Sequence, residues 1–220
     1  MSTTHVPTTR TDTVGLIRNE PVQARSTARL AALLDAAAEV ISEIGYERLT
    51  TAMVAERAGA SIGTVYRYFP DRIAVLQSLA ARNLERSTKI VLDAIADESH
   101  VDWYAAFAGS MRAFTYEFRD EPGFASLRFG DVLDLRPSQG APANEIVADL
   151  MFDAIVKRFG VSGSDDARLA FQVSFELGDS LVARAFARDP EGLSAILYLA
   201  AKAADALMSE YWGPHEPSDL

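Results

Sequence analysis

Residues 50–76, TTAMVAERAGASIGTVYRYFPDRIAVL, carry a chemical mark at every expected helix boundary, which leaves this segment few alternative folds. Thr50 suits the N-cap of a short helix because its hydroxyl accepts an otherwise unpaired backbone N–H. Small and apolar residues from Ala52 to Ala58 give that helix one face. Gly59 follows where a left-handed residue ends a helix at little cost. Ser61 caps a second helix that runs from Ile62 to about Phe69. Pro70 stops it, and Asp71 caps the next. Two short helices joined by a glycine-containing turn form a helix-turn-helix, whose second helix enters the DNA major groove.

Several positions carry a further resemblance. They are Gly45-Tyr46, Thr50, Val54-Ala55, Ala58-Gly59, Ser61, Gly63-Thr64, Tyr66 and Tyr68-Phe69. In order and spacing they resemble the DNA-binding signature of TetR-family transcriptional regulators, over roughly residues 27–76. Arg72 stands where that family usually has lysine. The resemblance implies an all-α chain of about nine helices, with an N-terminal three-helix DNA-binding head and a helical body that binds an effector and dimerises. The expected divisions are a flexible arm over 1–24, a head over 25–72 and a body over 73–220.

Net charge is −10, which taken globally disfavours nucleic acid. The charge is uneven, however. Residues 1–91 hold 11 Lys and Arg against 9 Asp and Glu, and the remainder hold 10 against 22. A head of only +2 must place its arginines well rather than rely on bulk charge. The threonine-rich arm has too few large apolar groups to offset ordering entropy. With Arg10 and Arg18 it reads either as a plain tail or as a minor-groove arm.

Helix 1 is expected over about 27–44, with Leu30, Leu33, Leu34, Ala37, Ala38, Ile41 and Ile44 on one face. A long fourth helix from Asp71 to about Asp97 changes its apolar face partway and reads as the connector to the body. Helices are also expected at about 102–119, 124–135, 142–159, 164–188 and from Asp189-Pro190 to about Trp212. No stretch alternates as a strand does.

Ten residues are candidates for contact with DNA: Thr50, Thr51, Ser61, Ile62, Gly63, Thr64, Tyr66, Arg67, Tyr68 and Arg72. Gly63 lets backbone approach a phosphate closely, and Arg67 has the fork geometry for guanine. The hydroxyls of Tyr66 and Tyr68 suit phosphates. Val65 and Phe69 read as core. In the body, Trp103, Phe107, Met111, Phe114, Phe124, Phe152, Phe171 and Phe175 read individually as core, and the resemblance implies that some of them line an apolar effector cavity. Ala106 or Gly109 would border such a cavity. The last two helices interleave small and large apolar residues, and the resemblance implies a dimer interface from Phe175, Leu181, Val182, Leu193, Ile196, Leu197, Ala200, Ala204 and Leu207.

No HExxH, GxSxG or phosphate-binding glycine loop is present, and the chain has no cysteine. The three histidines, His5, His100 and His215, fall in a tail, a loop and a tail. No enzyme, cofactor or metal site is therefore expected. No run approaches the length of a membrane span and the first residues lack a secretory h-region, so a cytoplasmic protein is expected. The reading that results is a dimeric repressor, released from a palindromic operator by a small apolar or aromatic ligand that tilts the fourth helix. Its alternatives are a regulator whose body only dimerises, and a helical small-molecule-binding protein that does not use DNA.

Overall fold

The computed structural model describes residues 24–124, 142–189 and 191–214. Among these there are eight α-helices and no strand: α1 (Ala24–Ile44), α2 (Thr51–Arg57), α3 (Ile62–Tyr68), α4 (Arg72–Ala96), α5 (Trp103–Asp120), α6 (Ala143–Phe159), α7 (Asp165–Phe186) and α8 (Ser194–Trp212). A 3-10 turn, Tyr46–Arg48, joins α1 to α2. The arm up to residue 23 and most of the helix expected at 124–135 lie outside the described residues, as do His5 and His215.

The caps read from the sequence are formed. The Thr50 hydroxyl accepts from the Met53 amide at 3.2 Å, Ser61 from Thr64 at 3.2 Å and Asp71 from Ala74 at 2.8 Å. Asp102 and Ser164 cap α5 and α7 in the same way. Gly59 takes φ +56°, which closes α2 and redirects the chain into α3.

Two boundaries differ from expectation. Helix α1 starts at Ala24, within a run that has no breaker after Pro21. Helix α8 starts at Ser194 rather than at Asp189-Pro190. The intervening turn is held by the Gly192 amide on the Asp189 carbonyl at 2.8 Å. Gly192 has φ +80°, and a Cβ there would stand 2.9 Å from the Phe186 ring. The turn therefore closes tightly onto the end of α7, and the helix cannot begin until it has passed.

Two hydrophobic cores result, both touched by α4. The head core joins Leu33, Ala37 and Ile41 of α1 to Val54, Val65, Phe69 and the first turns of α4 through Ala80. The expected division at 72 therefore cuts through this core. Farther along, Val91 and Ile95 belong to the body core with α5, α6, α7 and α8. At its far end α4 is held by α6, where the Arg158 guanidinium donates to the carbonyls of Ile95 and His100. A cation there also suits the negative end of the helix dipole.

Candidate nucleic-acid interface and helical body

Helix α3 has only seven residues, too few to be stable alone. It is fixed by burying Val65 and Tyr68 against α1 and α2, with Phe69 just beyond its end. That choice of inward face determines the outward one. Ile62, Gly63, Tyr66 and Arg67 are exposed and Thr64 is half-buried. The Thr64 and Ser61 hydroxyls are 3.0 Å apart, and Thr51 on α2 donates to the Tyr66 hydroxyl at 3.3 Å. The structure thus brings together Thr51, Ser61, Thr64 and Tyr66 at the N-terminal edges of α2 and α3. Gly63 is not crowded by protein: a Cβ there would meet nothing closer than the Ser61 hydroxyl at 3.8 Å. Its lack of a side chain is not demanded by the fold. Arg72 is exposed at the start of α4 and donates to the Glu47 carbonyl at 2.5 Å.

Tyr68 departs from the expectation of an outward phosphate contact. It is 5% exposed, and its hydroxyl lies 3.1 Å from that of Ser26 on α1. Its position three residues after Val65 places it on the inward stripe, so it ties α3 to the start of α1. Three arginines of α2 and α4 are engaged by carboxylates. Arg57 meets Glu39 and Glu43, Arg82 meets Asp35, and Arg86 meets Glu117 and Glu121. The Arg57 guanidinium holds the Glu43 carboxyl below its ordinary range through a hydrogen bond.

In the body the expected aromatic residues are gathered into two nests. In one, Phe171 stands 5.8 Å from Phe107, 5.8 Å from Phe152 and 5.6 Å from Trp212, while Trp103 meets Trp212 at 5.3 Å. In the other, Phe118 lies 5.2 Å from Phe114, 5.1 Å from Phe124 and 5.5 Å from Phe186. These are ordinary edge-to-face and stacked separations within a close-packed core. Met111 is half-buried against the same core and Phe175 is buried in it. Gly109 does not border a cavity. A Cβ there would collide with the His100 imidazole at 2.5 Å, and His100 Nδ1 is itself 2.8 Å from the Ala94 carbonyl. The glycine is the seat of a side chain that the sequence places in a loop, and no local spacing signals the pairing.

The residues expected at a dimer interface divide sharply. Phe175, Val182, Ala200 and Ala204 are buried within their own chain and cannot meet a partner without unpacking. Leu181, Ile196, Leu197 and Leu207 are half-buried, and Leu193 lies at the edge of exposure. The exposed apolar stripe of α7 is instead Leu169, Val173 and Leu177, at four-residue steps, and α8 exposes Tyr198 and Leu199. A groove of about 460 Å³ between α6 and α7 runs beside Val173 and Leu177. The burial of those four residues has a simple cause. Periodicity finds the apolar residues of both helices but does not say which of two apolar faces turns inward.

With this geometry in view, comparison with known proteins gives a consistent answer. Residues 33–79 match the family described as bacterial regulatory proteins, tetR family, and residues 101–208 match the tetracyclin repressor-like C-terminal domain. A solved TetR-family transcriptional regulator from Streptomyces coelicolor is 31% identical, with a TM-score of 0.69, over 83% of this chain and 99% of that one. The chain belongs to the TetR family. Members of this family are DNA-binding transcriptional regulators rather than enzymes. The HTH-type transcriptional repressor KstR of Rhodococcus jostii is 46% identical over 54 residues, which is 24% of this chain and 26% of that repressor. The chain thus matches only about a quarter of the length of that relative. The regulator FadR of Bacillus subtilis, solved in complex with stearoyl-CoA, shares the fold at 22% identity and a TM-score of 0.58, over 84% of this chain and 99% of that one. Among the described residues no helix is long and apolar enough to cross a membrane, and no group of three or more His, Cys, Asp or Glu could hold a metal ion.

Proposed function

We propose that this TetR-family chain is a dimeric repressor that reads a palindromic operator through α3 and is released by a small apolar or aromatic effector bound in the body. The observation that carries the DNA reading is the division of α3: Val65 and Tyr68 are buried, while Gly63, Tyr66 and Arg67 are exposed on the opposite side. Arg67 is the base reader, able to pair bidentately with guanine, and Thr64 meets a thymine methyl or a phosphate. Thr50, Thr51, Ser61, Ile62, Tyr66 and Arg72 frame the phosphates at the N-termini of α2, α3 and α4, where backbone amides already favour an anion. Arg57, Arg82 and Arg86 are already engaged by carboxylates, so their charge is partly neutralised before any phosphate arrives.

Dimerisation is assigned to the exposed faces of α7 and α8. Leu169, Val173, Leu177, Tyr198 and Leu199 are large apolar side chains that these two helices leave exposed, and an exposed apolar face suits association with a second copy. Two heads related by a two-fold axis would sit on half-sites about 34–36 Å apart or a multiple of this. The effector reading is supported by the FadR relative solved with stearoyl-CoA, and requires a ligand that opens space among the packed aromatic rings and binds the two states unequally. A cytoplasmic setting accords with this role. The test is a gel shift on the DNA upstream of the chain's own gene across a salt series. A sequence-dependent, salt-sensitive complex is expected. Binding indifferent to sequence, or absent, would reject the repressor reading.

A further inference from the structure

We propose that the turn ending α5 is a rigid contact through which the second aromatic nest of the body sets the position of α1 in the head. Gly123 in this turn has φ +72°, and a Cβ there would stand 2.7 Å from the Ala38 carbonyl oxygen and 3.3 Å from Ile41 Cγ2. Backbone of the body therefore lies directly on backbone of the head, with no side chain between them to give way. The next residue, Phe124, is buried with its ring 5.9 Å from Phe114 and 5.1 Å from Phe118, inside the nest that also holds Phe186 of α7. The turn is not loose. The Phe124 amide donates to the Glu121 carbonyl at 3.2 Å, and the Glu121 amide to the Glu117 carbonyl at 3.2 Å.

Two arginines on consecutive turns of α4 complete a triangle. Arg82 meets Asp35 of α1 at 2.7 Å, and Arg86, four residues on, meets Glu117 and Glu121 of α5. Asp35 and Ala38 are three apart and adjacent on the surface of α1. Helix α4 is thus tied to α1 on one turn and to α5 on the next, and the Gly123–Ala38 contact closes the third side. The exposed Arg82–Asp35 pair contributes little by itself, whereas Arg86 meets a buried carboxylate in Glu117. The backbone contact differs, because close-packed atoms transmit displacement instead of absorbing it. A change in the Phe114, Phe118 and Phe124 rings reaches α1 here without travelling the length of α4. Only the DNA measurement below rests on the proposed function.

Gly123→Ala tests the contact, with Gly160→Ala as its control. Gly160 has φ +66° but nothing within 4 Å of a Cβ, so it suffers the same backbone penalty without the collision. Hydrogen exchange is measured on the full chain. Gly123→Ala is expected to speed exchange at residues 37–41 by about tenfold relative to Gly160→Ala, through local opening of α1. Phe124→Leu, which adds no collision, should act in the same direction. Phe152→Leu in the other nest should leave α1 no faster than the global change requires. Equal effects of the two glycine variants on α1 would overturn the proposal. If Gly123→Ala does not fold, unchanged α1 exchange in Phe124→Leu overturns it instead. Operator affinity is then read on the same variants, with a loss expected for Gly123→Ala beyond that of Gly160→Ala. Failure of the unaltered chain to bind any duplex counts against the repressor reading alone, since exchange needs no DNA.

Discussion

The head and the body are built from the same kind of element, yet they are specified at different ranges. In the head, three of the four helices begin at a side-chain cap, and α2 and α3 have only seven residues each. Their ends are fixed by groups within three positions of them. The body uses helices of 17 to 22 residues whose placement depends on which apolar face meets which neighbour. Short-range chemistry is written along the chain, whereas the choice between two apolar faces is made only on packing. The contrast explains why the head can be drawn residue by residue from its sequence and the body cannot.

The largest effects should come from the two cores, where the regions ought to behave alike. Phe69→Ala in the head and Phe171→Ala in the body each remove a fully buried ring, at about 3–5 kcal/mol in denaturant unfolding. A clearly smaller cost for Phe107→Ala or Phe175→Ala would break the likeness and identify those rings as lining a cavity that can collapse. Next in size is the association of the body. Val173→Glu and Leu199→Glu place a charge on the exposed stripe and should yield monomers in sedimentation with the fold intact, since an unpaired buried charge is strongly unfavourable. A persistent dimer would put the interface elsewhere.

A smaller effect separates stability from recognition within the head. Arg67→Ala should weaken specific binding by about 1–3 kcal/mol, while thermal stability shifts by no more than about 0.5 kcal/mol, as for an ordinary surface change. Equal loss on random DNA would make Arg67 a phosphate contact. Tyr68→Phe is expected to do the reverse. It loses the hydroxyl contact with Ser26 and about 0.5–1.5 kcal/mol of stability, with operator preference unchanged in competition gel shifts.

The smallest effect concerns the junction of the two regions. Burial raises the Glu117 carboxyl above its ordinary value, opposed by the neighbouring Arg86 guanidinium. A carboxyl raised on folding holds its proton more tightly in the native state. Its contribution is therefore most favourable at low pH and declines as pH rises from the ordinary carboxylate value through the raised one. Glu117→Gln should remove that decline, so the difference in melting temperature between variant and parent should turn toward the variant across this window. A pH-independent difference would show that Arg86 fully compensates the burial.

The sequence is most legible where a boundary has a chemical mark. Thr50, Gly59, Ser61 and Asp71 announce their roles, and Val65 and Phe69 announce their burial. Tyr68 was misleading because a phenol can end in core or in solvent, and the neighbour that decides, Ser26, lies 42 residues away. Ala200 and Val182 were similarly ambiguous, since small and branched residues suit an inner and an outer helix contact equally. The seating of His100 on Gly109 and of Gly123 on Ala38 left no trace in local spacing, because each joins elements brought together only by the fold.

The division of α3 into a buried side and an exposed side has an evolutionary consequence. Residues 62, 63, 66 and 67 lie outside the core, so exchanging them removes no buried packing from the head that carries them. A gene duplicate could thus acquire a new operator through a handful of codons while the scaffold stays constant. The constraint falls instead on Val65, Tyr68 and Phe69, where a change harms every binding specificity at once. One short helix thereby separates what must be preserved from what is open to innovation.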